Sequence, residues 1–416
     1  MTIKLAEVAY SSEWFLAKLC RVLKDELISD VFQLVSVAGR QDTKQEAIER
    51  IRVLKAEREK SSAQDYGARN TSAELQSLGE LERGLAEGSL EYHPIIKKSE
   101  GVSLTDEMFL GCNALYVSSL NETHIDFAEE ALRRNIPILV EKPTCVVLDK
   151  NGEANSDQLN RLEEIAAKDS GQFVFMDAEH YSYKPVSMNF YRNIETLLRG
   201  REIVGARGRI IEHDDPNKIR VRNLLKKSSQ TGLLTDTGVH LLSFVSNLGY
   251  NAKPKEAKHN IFPGYDVETG SRASYEILSC SETKKRFVRE GARFELHIEK
   301  FGQHSTSPEA KEMMFILSDG TSLVLDFTRK DGAIIERNYS TDGLVGAEVI
   351  HPLTRGASSS EYVNILNEFK AAIGDFSKKP LTDYRNSIRT MNALYQTYKV
   401  FPVTDSANVN REAYAK

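Results

Sequence analysis

The chain has 416 residues, room for two or three domains, and its 40% hydrophobic and 28% charged residues are those of an ordinary globular protein. Its 55 Lys+Arg against 60 Asp+Glu give a net charge of −5 with both signs mixed along the chain, which argues against nucleic acid or a membrane as a partner. No apolar run reaches a membrane span and Met1-Thr2-Ile3-Lys4-Leu5 carries no signal segment, so a cytoplasmic protein is expected. The four cysteines, Cys20, Cys112, Cys145 and Cys280, stand far apart, and the nine histidines form no H-x-x-x-H pair. Neither a disulfide scaffold nor a metal site is expected.

In chain order, Ile3 to Tyr10 reads as a strand, Phe15 to Leu27 as a helix, Val31 to Val37 as a second strand and Gln45 to Arg58 as a charged helix. From about 61 to 101 the apolar periodicity is poor, and this stretch is expected to be a surface insertion, helical around Ala73 to Leu85. The clearest β-α-β unit follows. Ala114 to Val117 is a strand, Thr123 with Asp126 offers a capping box, and Ile125, Ala128, Ala131 and Leu132 mark one helix face. Ile138 to Val140 returns as a strand ending at Glu141-Lys142-Pro143, before a helix over Asp157 to Asp169 and a strand over Phe173 to Met176. Beyond about 180 come short alternating strands (Ile203 to Glu212, Phe294 to Glu299, Met313 to Leu317, Thr321 to Phe327), a helix near Asp236 to Leu248, and two closing helices, Glu361 to Ile373 and Tyr384 to Val400. The expected fold class is α/β with a parallel sheet, followed by an α+β domain with a large, mainly antiparallel open sheet.

Two constellations can carry chemistry. Ser118-Ser119-Leu120-Asn121 and Glu141-Lys142-Pro143 both lie past the carboxyl ends of adjacent strands, where open α/β sheets bind ligands. There Lys142 can stabilise negative charge on a substrate oxygen, or it can simply be a solvated strand end. Asp236 and His240 stand i,i+4 on one helix face: His240 can move a hydroxyl proton with Asp236 orienting it, or the two can be a capping Asp and a packed core His.

Together these stretches resemble the Gfo/Idh/MocA oxidoreductases. Leu115 to Pro143 is similar to their strand–(T/S)-P-N-x-x-H–helix–strand–E-K-P signature, with Asn121, His124 and Glu141-Lys142-Pro143 at matching places. Gly232 to His240 resembles their G-x-x-x-D-x-G-x-H helix, and Glu202-Ile203-Val204-Gly205 their G-x-I-G strand start. Glu179-His180-Tyr181-Ser182-Tyr183-Lys184 resembles the D-H-Y-x-x-K stretch of glucose-6-phosphate dehydrogenases. The resemblance implies a Rossmann-type, doubly wound domain over 1–178 and a substrate and oligomerisation domain over 179–416, its C-terminal helices packing back on the first. It further implies NAD(P)-dependent oxidation or reduction of a hydroxyl or carbonyl on a sugar, sugar derivative or cyclitol, and a homo-oligomer (dimer or tetramer) through the open sheet. By resemblance Lys142 and His240 are catalytic with Asp236 as partner. In the substrate site His180 and Lys184 are expected to meet a phosphate or carboxylate, and Tyr181 and Tyr183 to pack a sugar face. Ser118, Ser119, Asn121, His124, Glu141, Lys142 and Pro143 line the cofactor.

One departure stands out. The family's first strand runs into G-x-G-x-x-G, and here Ala9-Tyr10-Ser11-Ser12-Glu13-Trp14 holds no glycine, leaving Ser11 and Ser12 as phosphate contacts. After the second strand, Val37-Ala38-Gly39-Arg40 offers an arginine and no acid, which leans to NADP over NAD. A basic run (Lys218, Arg220, Arg222, Lys226, Lys227) precedes the Asp236 helix. The rival expectation is a catalytically inactive ligand sensor or regulatory partner that keeps the fold and has lost normal dinucleotide binding.

Overall fold

A computed structural model describes residues 2–9, 15–62, 68–99, 101–216, 230–280, 287–339, 345–353, 358, 360–403 and 408–410. In chain order the longer elements begin with β1 (Ile3–Val8), β2 (Phe32–Gly39), α1 (Lys44–Ser62), α2 (Ala68–Glu87), β3 (Glu91–Pro94), β4 (Ile96–Lys97), β5 (Val102–Ser103), β6 (Ala114–Val117), α3 (His124–Arg134), β7 (Ile138–Val140), α4 (Asp157–Lys168) and β8 (Phe175–Asp177). They continue with α5 (Pro185–Leu198), β9 (Ile203–Ile211), α6 (Val239–Asn247), β10 (Tyr250–Asn260), β11 (Gly270–Ser279), β12 (Val288–Glu299), β13 (Ala310–Leu317), β14 (Ser322–Asp326), β15 (Ile334–Tyr339) and β16 (Val345–His351). The chain ends in α7 (Glu361–Gly374), α8 (Tyr384–Val400) and β17 (Val409–Asn410).

Two units divide the chain. One comprises residues 1–141, 167–178 and 362–380, the other 142–166, 179–361 and 381–416. The chain thus passes between them repeatedly where a single boundary at 178 was expected, and of the closing helices α7 belongs almost wholly to the first unit and α8 to the second.

The first unit holds a parallel sheet of order β3-β2-β1-β6-β7-β8, the doubly wound Rossmann order. Strands β6, β7 and β8 are buried along their whole length, as a parallel sheet covered on both faces requires. The expected surface insertion at 61–101 does not hold. Glu91–Pro94 is the sheet's third strand, parallel to β2, and α2 buries Leu78, Leu81 and Leu85. The polar helix α1 is joined to α2 by Arg52 and Lys55, which donate to Glu82 at 2.8 and 2.9 Å. A capping box does form, at α1: Thr43 Oγ1 accepts from the Glu46 amide (3.2 Å) and Glu46 accepts from the Thr43 amide (3.1 Å). At α3, Thr123 instead donates to the Leu120 carbonyl, and Asp126 is spent on the Val102 amide.

The second unit is built on a nine-stranded sheet of order β16-β15-β14-β13-β9-β12-β11-β10-β17, antiparallel except at β9–β12 and β10–β17. One face is a hydrophobic core, with Phe190 of α5 stacked on Phe315 of β13 (4.6 Å) and α6 tied to α8 by Thr390 Oγ1 donating to Ser246 Oγ (2.8 Å). The other face is charged. Lys258, Arg272, His297, Arg209 and Glu312 stand in register across β10, β11, β12, β9 and β13. Among the described residues no helix is long and apolar enough to cross a membrane.

Candidate functional site

In the first unit a cavity of about 380 Å³ opens where β1, β2 and β6 end, the point at which the strand order reverses. Arg40, Arg50 and Lys97 line it together with Ser118, Ser119 and Thr123, and among the described residues no carboxylate does. Ala9 takes φ +80°, a conformation that favours glycine, and its amide donates to the Ala38 carbonyl (3.0 Å). The backbone of β1 thus ends in a glycine-type conformation at an alanine. Ser11 and Ser12 lie outside the described residues, as does the basic run from Lys218 to Lys227. The Ser118 hydroxyl donates to Glu7 Oε1 (2.6 Å), and Glu7 is wholly buried, which pushes its carboxyl well up.

Several expected cofactor residues do structural work. His124 is buried, its Nε2 donating to the Ser119 carbonyl (3.1 Å), so it fixes the loop beside the cavity without lining it. Asn121 opens a single turn, Asn121–Thr123, and is not part of the cavity wall. Glu141 is buried and accepts from the Tyr116 and Tyr362 hydroxyls, the latter at 2.9 Å, which anchors the end of β7. Lys142-Pro143 is a cis peptide.

The second unit gathers the acid–base groups. Gly232 begins the segment leading into α6. A Cβ there would meet the Glu268 carboxylate at 2.1 Å, and that carboxylate accepts from the Leu234 amide (3.1 Å). A wide π-type turn over Leu234–Gly238 then carries Asp236, and Lys142 Nζ donates to both its Oδ1 (2.8 Å) and its backbone carbonyl (2.7 Å). Burial alone would raise the Asp236 carboxyl, but Lys142 and then Lys300 outweigh it and hold it below the usual range. Asp236 is therefore the partner of Lys142, not the hydrogen-bonded partner of His240 that the i,i+4 spacing suggested.

The partner of His240 is Glu179, whose Oε1 meets Nδ1 in a short hydrogen bond. Glu179 is completely enclosed and receives the amides of Tyr181 (3.0 Å) and Ser182 (2.8 Å) and the Ser182 hydroxyl (2.5 Å). Burial pushes its carboxyl up and these donors offset part of the rise; as the acceptor of the short bond it leaves the proton on Nδ1 of His240 and the lone pair on Nε2. Burial, and then the charge of Lys142, push the imidazole well below the ordinary histidine range, so the ring is neutral at pH 7. Its faces are fixed by the Tyr181 ring (4.3 Å, near parallel) and the His180 ring (4.6 Å, edge-on). Lys184 Nζ lies 4.9 Å from the Tyr181 ring centre. Tyr183 is fully buried with its hydroxyl bonded to Thr382 (3.1 Å), so it is core and not a sugar platform.

Two features escaped sequence reading. Glu179 has its signal in the acid directly before His180, within the very stretch singled out for that histidine. Glu212 has none. It pairs with Lys300 and with Lys311 (2.5 Å), and although burial would raise it, the two lysines hold it at about 2. Glu179, His180 and His240 also bring ligand-capable atoms within 4.8 Å of one another, a grouping able to hold a cation that the spacing of the histidines did not suggest.

No family model matches the chain, and no curated protein matches it in sequence. Solved structures do match in fold. Levoglucosan dehydrogenase in complex with NADH and levoglucosan superposes with a TM-score of 0.63 at 13% identity, covering 96% of this chain and 97% of its own. A 3-ketoreductase from Actinomadura kijaniata, in complex with NADP and TDP-benzene, gives 0.61 at 14% identity over 99% of both chains. UDP-N-acetylglucosamine 3-dehydrogenase from Acidithiobacillus ferrooxidans gives 0.57 at 13% identity, over 95% of this chain and 96% of its own. The class defined is therefore a Rossmann-type unit joined to a large open-sheet unit, a fold shared with sugar and nucleotide-sugar oxidoreductases.

Proposed function

We propose that the protein is a nicotinamide-dinucleotide-dependent oxidoreductase that acts on a hydroxyl or carbonyl of a sugar-like molecule, with Arg40 favouring NADP. The observation that carries this reading is the Glu179–His240 pair beside Lys142: a neutral, oriented imidazole whose Nε2 holds the lone pair and an ammonium group are the parts that moving a hydroxyl proton requires. The strand-end cavity supports the cofactor, because its cations and hydroxyls fit a phosphorylated nucleotide and none of the described residues lining it is a carboxylate. The solved structures of similar fold support it too, since their bound molecules include NADH with levoglucosan and NADP with a TDP derivative.

A bound nicotinamide accepts or supplies the hydride, and the proton is the chain's task. In the oxidation direction His240 Nε2 takes the hydroxyl proton, Glu179 stabilises the imidazolium so formed, and Lys142, aimed by Asp236, steadies negative charge on the oxygen. The charged face of the nine-stranded sheet is proposed as the surface that joins copies of the chain. Calorimetric titration with NADP and NAD, followed by turnover of a panel of sugars, sugar phosphates and cyclitols, tests the reading. Binding and turnover are expected; binding of a sugar with no turnover would favour the sensor, for which the glycine-free sequence after β1 speaks.

A further inference from the structure

The strand-end cavity contains more positive charge than Arg40 alone explains. Arg50 comes from α1, and Lys97 from the β4–β5 hairpin, within the stretch whose sequence reads as a surface insertion. Neither Arg40 nor Lys97 has an ion-pair partner among the described residues, and Arg50 has only a loose one, Glu57 at 3.7 Å. Three cations in one cavity, with no carboxylate among the described residues that line it, repel one another, and an anion between them relieves that.

The position of Lys97 is built rather than incidental. The Ile95 amide donates to the Gly39 carbonyl (2.7 Å), which fastens the strand that leads to Lys97 beside the residue preceding Arg40. The hairpin is then held on α3 by two buried carboxylates: Asp126 accepts from the Val102 amide (3.0 Å) and Glu130 from the Leu104 amide (3.1 Å). Gly101 makes this approach possible. Its φ is +91°, and a Cβ there would come within 2.5 Å of Asp126 Oδ2. A lysine fixed this way spends less entropy on holding a ligand than one on a free loop.

We propose that Lys97, with Arg50, is a specificity-determining residue that completes with Arg40 a three-cation cradle for a phosphomonoester. The dinucleotide selected is then the 2′-phosphorylated one, NADP. This rests on the dinucleotide reading above. It extends that reading to a residue supplied by the hairpin after β3.

Calorimetric titrations of the full chain with NADP, NAD, 2′,5′-ADP and 5′-AMP test it. Lys97→Ala should weaken NADP and 2′,5′-ADP about tenfold or more, the scale of one charge-assisted hydrogen bond, and leave NAD and 5′-AMP unchanged. Lys97→Arg should restore most of the loss. Gly101→Ala, which keeps the charge and moves the hairpin, should reproduce part of the Lys97→Ala effect. Equal NADP affinity in wild type and Lys97→Ala overturns the inference and leaves the dinucleotide reading standing, as does a wild type that prefers NAD. Binding of 2′,5′-ADP through Lys97 with neither dinucleotide bound supports the phosphate site and overturns the dinucleotide reading. A wild type that binds none of the four overturns both.

Discussion

At the scale of single residues, the decisive fact is which carboxylate faces which nitrogen group. Two acids lie within reach of two bases, and the structure pairs Glu179 with His240 and Asp236 with Lys142. The pairing sets the chemistry, because a neutral His240 takes a proton at pH 7 where a permanently charged one could not. The acidic limb of the oxidation kcat/KM profile should therefore lie well below pH 6.5, the value of an unperturbed histidine. Glu179→Gln keeps the acceptor but removes the charge that stabilises imidazolium. It should move that limb to still lower pH and cut the plateau rate by about ten- to a hundredfold, read from initial rates across pH. Glu7 offers a stability test. Its raised folded-state pKa means the unfolded chain ionises first as pH climbs above about 4.3, so its contribution is complete below that value and is lost as pH rises toward the folded-state value. Glu7→Gln still accepts from Ser118. It should melt higher than wild type at pH 8 by differential scanning fluorimetry, with the gap closing near pH 4. Lys142 meets Asp236 from 94 residues away, so of this group only the i,i+4 spacing of Asp236 and His240 was legible in the sequence. Which acid serves His240 was not, because Glu179 is brought to it from 61 residues away.

At the scale of elements, what could be read from the sequence follows periodicity. The spans Ala114–Val117, Ile138–Val140 and Tyr384–Val400 emerge with the expected bounds, since each is a clean apolar run or a clean helical stripe. The stretch from 61 to 101 was misread because α1 and α2 cover their polar faces with each other's charges, Arg52 and Lys55 on Glu82, and because β3 is only four residues long. Strand β10 was passed over because Lys253-Pro254-Lys255-Glu256 straddles a bulge, which breaks the alternation. If α2 is part of the Rossmann layer, its buried leucines carry core energy. Leu81→Ala should lower stability by about 2–5 kcal/mol in urea unfolding, whereas a loss below about 0.5 kcal/mol would mark a surface appendage.

At the scale of the whole molecule, the candidate groups are divided between the two units. One presents a basic cavity at a topological switch point, and the other presents an oriented imidazole with a paired lysine. The charged outer face of the nine-stranded sheet has a consequence for assembly. Sedimentation velocity should find a dimer or tetramer at low salt that weakens as salt screens the face, while a monomer at every salt concentration would leave that face free. In the proposed reaction, proton transfer at His240 is coupled to hydride transfer on a sugar-like substrate. The most direct test is the nicotinamide absorbance change on mixing the protein with a turning-over substrate and NADP, for wild type and His240→Ala. The variant should be slower by about 10²–10⁴-fold, with NADP affinity unchanged. A variant that keeps most of the wild-type rate would contradict it.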